Sequence, residues 1–186
     1  VPDAQLDNSQ DLAGQNSAAV YYGRRPLEPG ESAQVAMIAQ ILNEHLSAAV
    51  RDKQPMGYVA FASATEDYLN RGPVFGIQAP GLAPEKVRAR LDSEIEAFVE
   101  GLEEMSESEF DEYRKGVRSR LQTQKQQLRR YTQYWWMDIR RFGKPVDELA
   151  MALERLEQLS AQDLTAFAKA LLVDDEAQVL VRTTGN

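Results

Sequence analysis

The apolar residues of this chain change their period once, and that change restricts the folds open to it. Between Met56 and Ala79 they alternate, in two runs separated by a polar loop containing Asn70, Gly72 and Pro73. From Pro84 onward they recur at three- and four-residue steps instead, as in Val87, Leu91, Ile95, Phe98 and Leu102. Alternation is the signature of half-buried strands, and the longer step is that of core-facing helices. A pair of neighbouring strands followed by a long helical stretch implies antiparallel pairing and segregated layers. The expected class is therefore α+β, an antiparallel sheet packed against several α-helices.

Before the strand pair, Ala18 to Tyr22 reads as a short strand. Val35, Ile38, Leu42, Leu46 and Ala49 form the stripe of a helix running from Ser32 to about Arg51. In the first strand of the pair, Val59 and Phe61 share one face and Tyr58, Ala60 and Ala62 the other. If the bulky face packs on helices, the small-residue face is left to line an open surface or chamber. Beyond Pro84, Ser106 with Glu109 has capping-box spacing and opens a helix carrying Phe110, Tyr113, Val117 and Leu121. Further helices are expected over Thr132–Phe142, over Val146–Gln158 and after Ser160, with a returning strand over Gln178–Arg182. Residues 1–17 are polar and read as a linker or interdomain segment, which leaves residues 18–186 as a single domain.

Composition excludes several functions. The 29 acidic and 21 basic residues give a formal charge of -8, the wrong sign for a general nucleic-acid binder. One local exception, Arg114 to Arg130, could meet an acidic partner, although interleaved Glu and Gln suit a solvated face better. There is no cysteine, hence no disulfide, thiol nucleophile or thiolate metal site. No stretch approaches the roughly 18 uninterrupted apolar residues of a membrane span. The beginning at Val1 lacks Met and a signal-peptide pattern and reads as a processed piece.

His45 is the only histidine, and it follows Glu44. An inverted zinc motif, His-x-x-Glu-His, needs a second histidine where Ile41 stands, so no metal site and no complete catalytic apparatus is expected in this chain. No nucleophile elbow or phosphate loop is present either. What remains is Arg51 at a helix end and Tyr58 at the start of a strand, with a short connector between them. A guanidinium and a phenol brought together can polarise a peptide carbonyl or hold its oxyanion; equally, Arg51 can serve only the helix dipole. Tyr134, Trp135 and Trp136 are either a binding platform or, with Ile139 and Phe142, part of the core.

The segment VRDKQPMGYVAFAS, Val50 to Ser63, resembles the Arg-x-x-x-Gln-Leu-Gly-Tyr segment in the last domain of the pitrilysin/insulysin zinc peptidases. SAAVYYG, EMSESEFDEYRKGV, YWWMDIRRF and LEQLSAQDLTAFAKALL resemble the other elements of that domain, in order. Pro55 and Met56 depart from the family's Gln-Leu, and Gln54 from its usual Glu, whereas Arg51, Gly57 and Tyr58 match.

The resemblance implies the C-terminal, zinc-free domain of a metalloendopeptidase whose Zn²⁺ sits in a separate N-terminal half. The implied partners are that half and a peptide substrate, with no nucleic acid and no membrane. It assigns Arg51 and Tyr58 to the substrate backbone, and the chain alone is expected to be inactive. A non-catalytic structural subunit of the same fold and a stand-alone peptide-binding module are the alternatives. The acidic charge and absence of cysteine lean toward the periplasm, with the cytoplasm as the alternative.

Overall fold

The structure, a computed structural model, describes residues 8–12, 16–23, 28–53, 59–66, 71–126, 128–173 and 178–185. Its elements run β1 (Asn8–Leu12), β2 (Asn16–Gly23), α1 (Ser32–Lys53), β3 (Val59–Glu66), β4 (Arg71–Pro80) and α2 (Pro84–Glu103). Then follow α3 (Glu107–Gln126), α4 (Leu128–Phe142), α5 (Glu148–Gln158), α6 (Ala161–Leu172) and β5 (Gln178–Gly185).

Among the described residues the strands form one five-stranded sheet in the order β1-β5-β2-β4-β3. The pairs β5–β2, β2–β4 and β4–β3 are antiparallel, as expected for an α+β chain, but β1 runs parallel to β5. The linker expected over residues 1–17 is thus corrected where the chain is described. Asn8–Leu12 is an edge strand in register with Val181 to Gly185, and β2 already begins at Asn16. Neither segment alternates apolar and polar residues clearly, so pairing between distant parts of the chain makes β1 a strand where local pattern does not.

The helix α1 is the axis of the fold. Its first half is surrounded: Ala33, Met37, Ile38 and Leu42 are wholly inaccessible, and even Gln34 is buried. It packs on β3 and β4 and also against α2, α3, α5 and α6. Its second half keeps only a stripe inside, Leu46 and Ala49, while Glu44, Ala48 and Arg51 are exposed. Each fully buried Leu or Ile contributes about 1.5–3 kcal/mol relative to exposure, so this helix anchors the domain.

The facing of β3 is opposite to the one expected. Ala62 is buried and Ala60 is packed against the core, whereas Val59 and Phe61 are 56% and 38% exposed. The register explains it, because Ala60 and Ala62 stand beside Ile77 and Phe75 of β4, both at most 2% exposed. Small side chains let α1 lie close over β3, and the bulk that fills the core comes from β4. On the opposite face of β3, Val59, Phe61 and Ser63 are exposed.

The helical half follows its sequence signals more closely. Pro84 opens α2, which buries Val87, Leu91, Ile95, Phe98 and Leu102. Ser106 and Glu109 form the expected reciprocal cap on α3, and Ser160 and Asp163 form another on α6. The helix expected from Val146 starts at Glu148, capped by Asp147. Gly143, at φ 68°, stops α4 in the left-handed conformation that glycine adopts without strain. In α4 the core reading of the tryptophans fails: Trp136 is 61% exposed, and Trp135, Ile139 and Phe142 are only half-buried.

Candidate functional site

Arg51 lies in the last turn of α1, exposed, with no ion pair to any described residue. Tyr58, Pro55 and the rest of the connector between α1 and β3 lie outside the described residues. On the β3 side, the N–H of Ala62 donates to Asn43 Oδ1 of α1 at 3.0 Å. This bond, formed across 19 residues, ties β3 to α1. A cation at a helix C-terminus is also favoured by the helix dipole.

His45 has a structural setting. Its Nε2 lies 3.2 Å from Glu94 Oε2 on α2, and its ring meets Phe98 edge-on at 5.8 Å between centroids. Glu94 is only 3% exposed, and its other oxygen is 2.7 Å from Arg90 one helical turn earlier. The imidazole therefore helps hold α1 to α2. Among the described residues no group of three or more His, Asp or Glu side chains is placed to hold a metal ion.

The basic stretch of α3 is likewise committed to packing. Arg114 donates to the Leu159 carbonyl at 2.8 Å, pairs with Asp111 at 3.2 Å and stacks 4.9 Å from the Phe110 ring centroid. Arg118 is paired with Glu157 of α5. Arg120 reaches the Ala36 carbonyl at 3.4 Å. These arginines tie α3 to α5, to Leu159 beyond it and to α1, contacts that local sequence could not reveal because Glu157, Leu159 and Ala36 are distant in the chain.

Sequence reasoning missed a cleft of about 500 Å³ between α1, α3 and the outer edge of β3. Gln40, Asn43 and Glu44 line it from α1, Ala62 to Thr65 from β3, and Arg120 and Gln124 from α3. At one end Tyr113 donates its hydroxyl to Glu44 at 2.8 Å. Burial, and then the bond to Glu44, push the Tyr113 phenol up to about 12.

The described fold is a five-stranded sheet with the long helix α1 packed on β3 and β4. It superposes on pitrilysin with a TM-score of 0.74 at 18% identity, covering 94% of this chain and 19% of that one. It also matches the periplasmic protease PqqL from Escherichia coli (TM-score 0.70, 15% identity, 98% of this chain and 21% of that one). A peptidase M16 inactive domain from Pseudomonas fluorescens matches with a TM-score of 0.66 at 15% identity, over 97% of this chain and 43% of that one. No curated protein matches this chain in sequence.

Residues 37–136, more than half of the chain, match the family described as PQQ synthase PqqF-like, C-terminal lobe domain 4. The chain belongs to that family and is a C-terminal domain of an M16 metallopeptidase. It spans about a fifth of the length of pitrilysin and of PqqL. No described helix is long and apolar enough to cross a membrane.

Proposed function

We propose that this domain closes over a separate zinc-bearing half of a metalloendopeptidase and meets the peptide backbone through Arg51 and Tyr58. The observation that carries the reading is Arg51 itself: an exposed guanidinium on the last turn of α1, without an ion-pair partner among the described residues, next to the connector that holds Tyr58. In this reading the zinc of the other half activates water and a glutamate there serves as base. Arg51 and Tyr58 supply positive charge and a hydroxyl to the scissile carbonyl as it becomes an oxyanion. Such donors act through the transition state rather than through binding. PqqL is called periplasmic, and we place this protein in the same compartment on that likeness and its acidic charge.

The test is made in the enzyme that carries both halves. Arg51→Ala and Tyr58→Phe are each expected to lower turnover while peptide affinity for the zinc half is largely kept. Wild-type turnover in both variants overturns the assignment.

A second reading, a non-catalytic subunit of the same fold, draws on the likeness to an M16 inactive domain. The two readings separate on the polypeptide that carries the partner half. A His-x-x-Glu-His motif there, with bound zinc by metal analysis, supports the enzyme; its absence supports the structural subunit.

A further inference from the structure

The cleft beside β3 has the features of a strand-binding site. Among the described residues β3 is an edge strand with β4 as its only neighbour in the sheet. The N–H of Ala62 points away from β4, since it donates to Asn43 Oδ1. In an antiparallel strand every second residue turns both its N–H and its C=O to the same side. Ala64 therefore presents its backbone outward as well. Its register partner in β4 is Pro73, which has no N–H to offer, as fits a pair that exchanges no backbone bonds. Ala64 is exposed and lines the cleft.

The walls suit a polypeptide backbone. Gln40, Asn43 and Gln124 bring carboxamides, each both donor and acceptor, around the edge. Gly116 of α3 leaves room for Gln40, whose Nε2 would lie 3.4 Å from a Cβ at that position. The four β3 residues lining the cleft span roughly 10–14 Å at about 3.4 Å per residue, and about 500 Å³ accommodates a short extended segment. The charges are unequal in their commitments. Glu44 accepts the Tyr113 hydroxyl, whereas Arg120 has only a 3.4 Å bond to a carbonyl and no carboxylate among the described residues.

We propose that this cleft binds an extended, acidic peptide segment, which adds to the outer edge of β3 at Ala64 and sets its carboxylate against Arg120. Arg51, on the last turn of α1, does not line the cleft, so this site is separate from the proposed Arg51 and Tyr58 contact and stands whether or not that assignment holds. Backbone pairing supplies affinity in such strand addition, and flanking side chains select among sequences.

The probe is the pentapeptide Ac-Thr-Val-Glu-Val-Thr-NH₂, titrated into the full 186-residue chain and followed by amide chemical shifts and by affinity. Saturable shifts at Ala62 to Thr65 and at the Gln124 side chain are expected. The same peptide with alternate amides N-methylated is expected to lose binding, because it cannot complete the ladder. Arg120→Gln is expected to weaken the Glu peptide about three- to fivefold and to leave its Gln counterpart unchanged. Ala64→Pro, which removes the edge donor, is expected to abolish binding; should that variant not fold, the N-methylated peptide decides the point on the unaltered chain. Equal binding of the N-methylated peptide overturns the proposal. So do shifts confined to Val59 and Phe61, or no saturable binding. Arg51→Ala leaves this binding intact, which keeps it distinct from the catalytic reading.

Discussion

Replacing Gly30 by alanine tests whether the entry into α1 depends on backbone geometry that only glycine supplies. Gly30 sits at φ 89°, two residues before α1, and its N–H donates to Glu148 Oε2 at 2.6 Å in a buried setting. A Cβ there would lie 3.0 Å from the Met151 carbonyl oxygen and 3.2 Å from its carbon, both backbone atoms of α5. The left-handed conformation costs an alanine about 1–2 kcal/mol. Relieving the contact moves the loop away from α5 and loosens a charge-assisted bond worth about 1.5–3 kcal/mol. Together these predict a loss of roughly 2–4 kcal/mol. At about 2–4 °C per kcal/mol for a chain of this size, Tm falls by about 5–15 °C. Gly101→Ala in α2 is the internal control. Nothing lies within 4 Å of its added Cβ and its φ is not positive, so it is expected to raise stability by up to about 1 kcal/mol. Urea and thermal melts followed by circular dichroism measure both. A Gly30→Ala variant within about 0.5 kcal/mol of wild type would refute the reasoning, as would two substitutions of the same sign.

Further outcomes follow from named contacts. In the two-half enzyme, loss of an oxyanion donor at Arg51 or Tyr58 is expected to cut kcat about 10²-fold, measured by steady-state peptide cleavage. The Ser106 hydroxyl and backbone N–H hold Glu109 below the ordinary carboxylate value of 4.5, and Ser160 does the same to Asp163 below 3.8. Folded values lower than unfolded ones mean that these caps stabilise above the unfolded pKa and lose their effect as pH falls through the folded one. Ser106→Ala and Ser160→Ala are thus expected to flatten the acid limb of stability against pH. Tyr113 has the opposite sign: its folded value, about 12, exceeds the ordinary 10.0, so its contribution is complete below pH 10 and lost as pH rises toward 12. Phenolate absorbance of wild type against Tyr113→Phe should show the missing group titrating above its ordinary 10.0. Asn43→Ala removes the acceptor for Ala62 N–H and should cost about 1–2 kcal/mol, read by denaturant melts.

Most helices were legible because each announces itself locally. The stripe of Val87, Leu91, Ile95, Phe98 and Leu102 and the two capping boxes need no distant partner to be recognised, and the structure keeps them all. The strands were legible in position and not in orientation. Alternation in β3 separates Val59 and Phe61 from Ala60 and Ala62 but does not say which set faces inward. Hydrophobicity alone points to the bulky pair. The helix α1 requires the opposite, because Ile38 and Leu42 already fill the space above the sheet together with Phe75 and Ile77. A smooth alanine surface on β3 is what allows that helix to approach. β1 was illegible for a related reason: its strand state is conferred by β5, more than 160 residues away along the chain.

The same distinction separates the two sites. Arg51 and Tyr58 were found because they sit seven residues apart in one segment, where a family pattern is read as a string. The cleft beside β3 has no such string. Asn43 and Gln40 come from α1, Ala64 from β3, and Arg120 and Gln124 from α3, each an ordinary residue in its own helix or strand. Only folding shows that Asn43 already occupies one outward position of the β3 edge while the next, at Ala64, remains open. An edge strand left open invites pairing with another chain. Here α1 runs beside that edge and bonds it at Ala62, leaving a gap of about 500 Å³ between α1, α3 and β3. That gap, more than any motif, makes the helical side of this domain a second place for a peptide to bind.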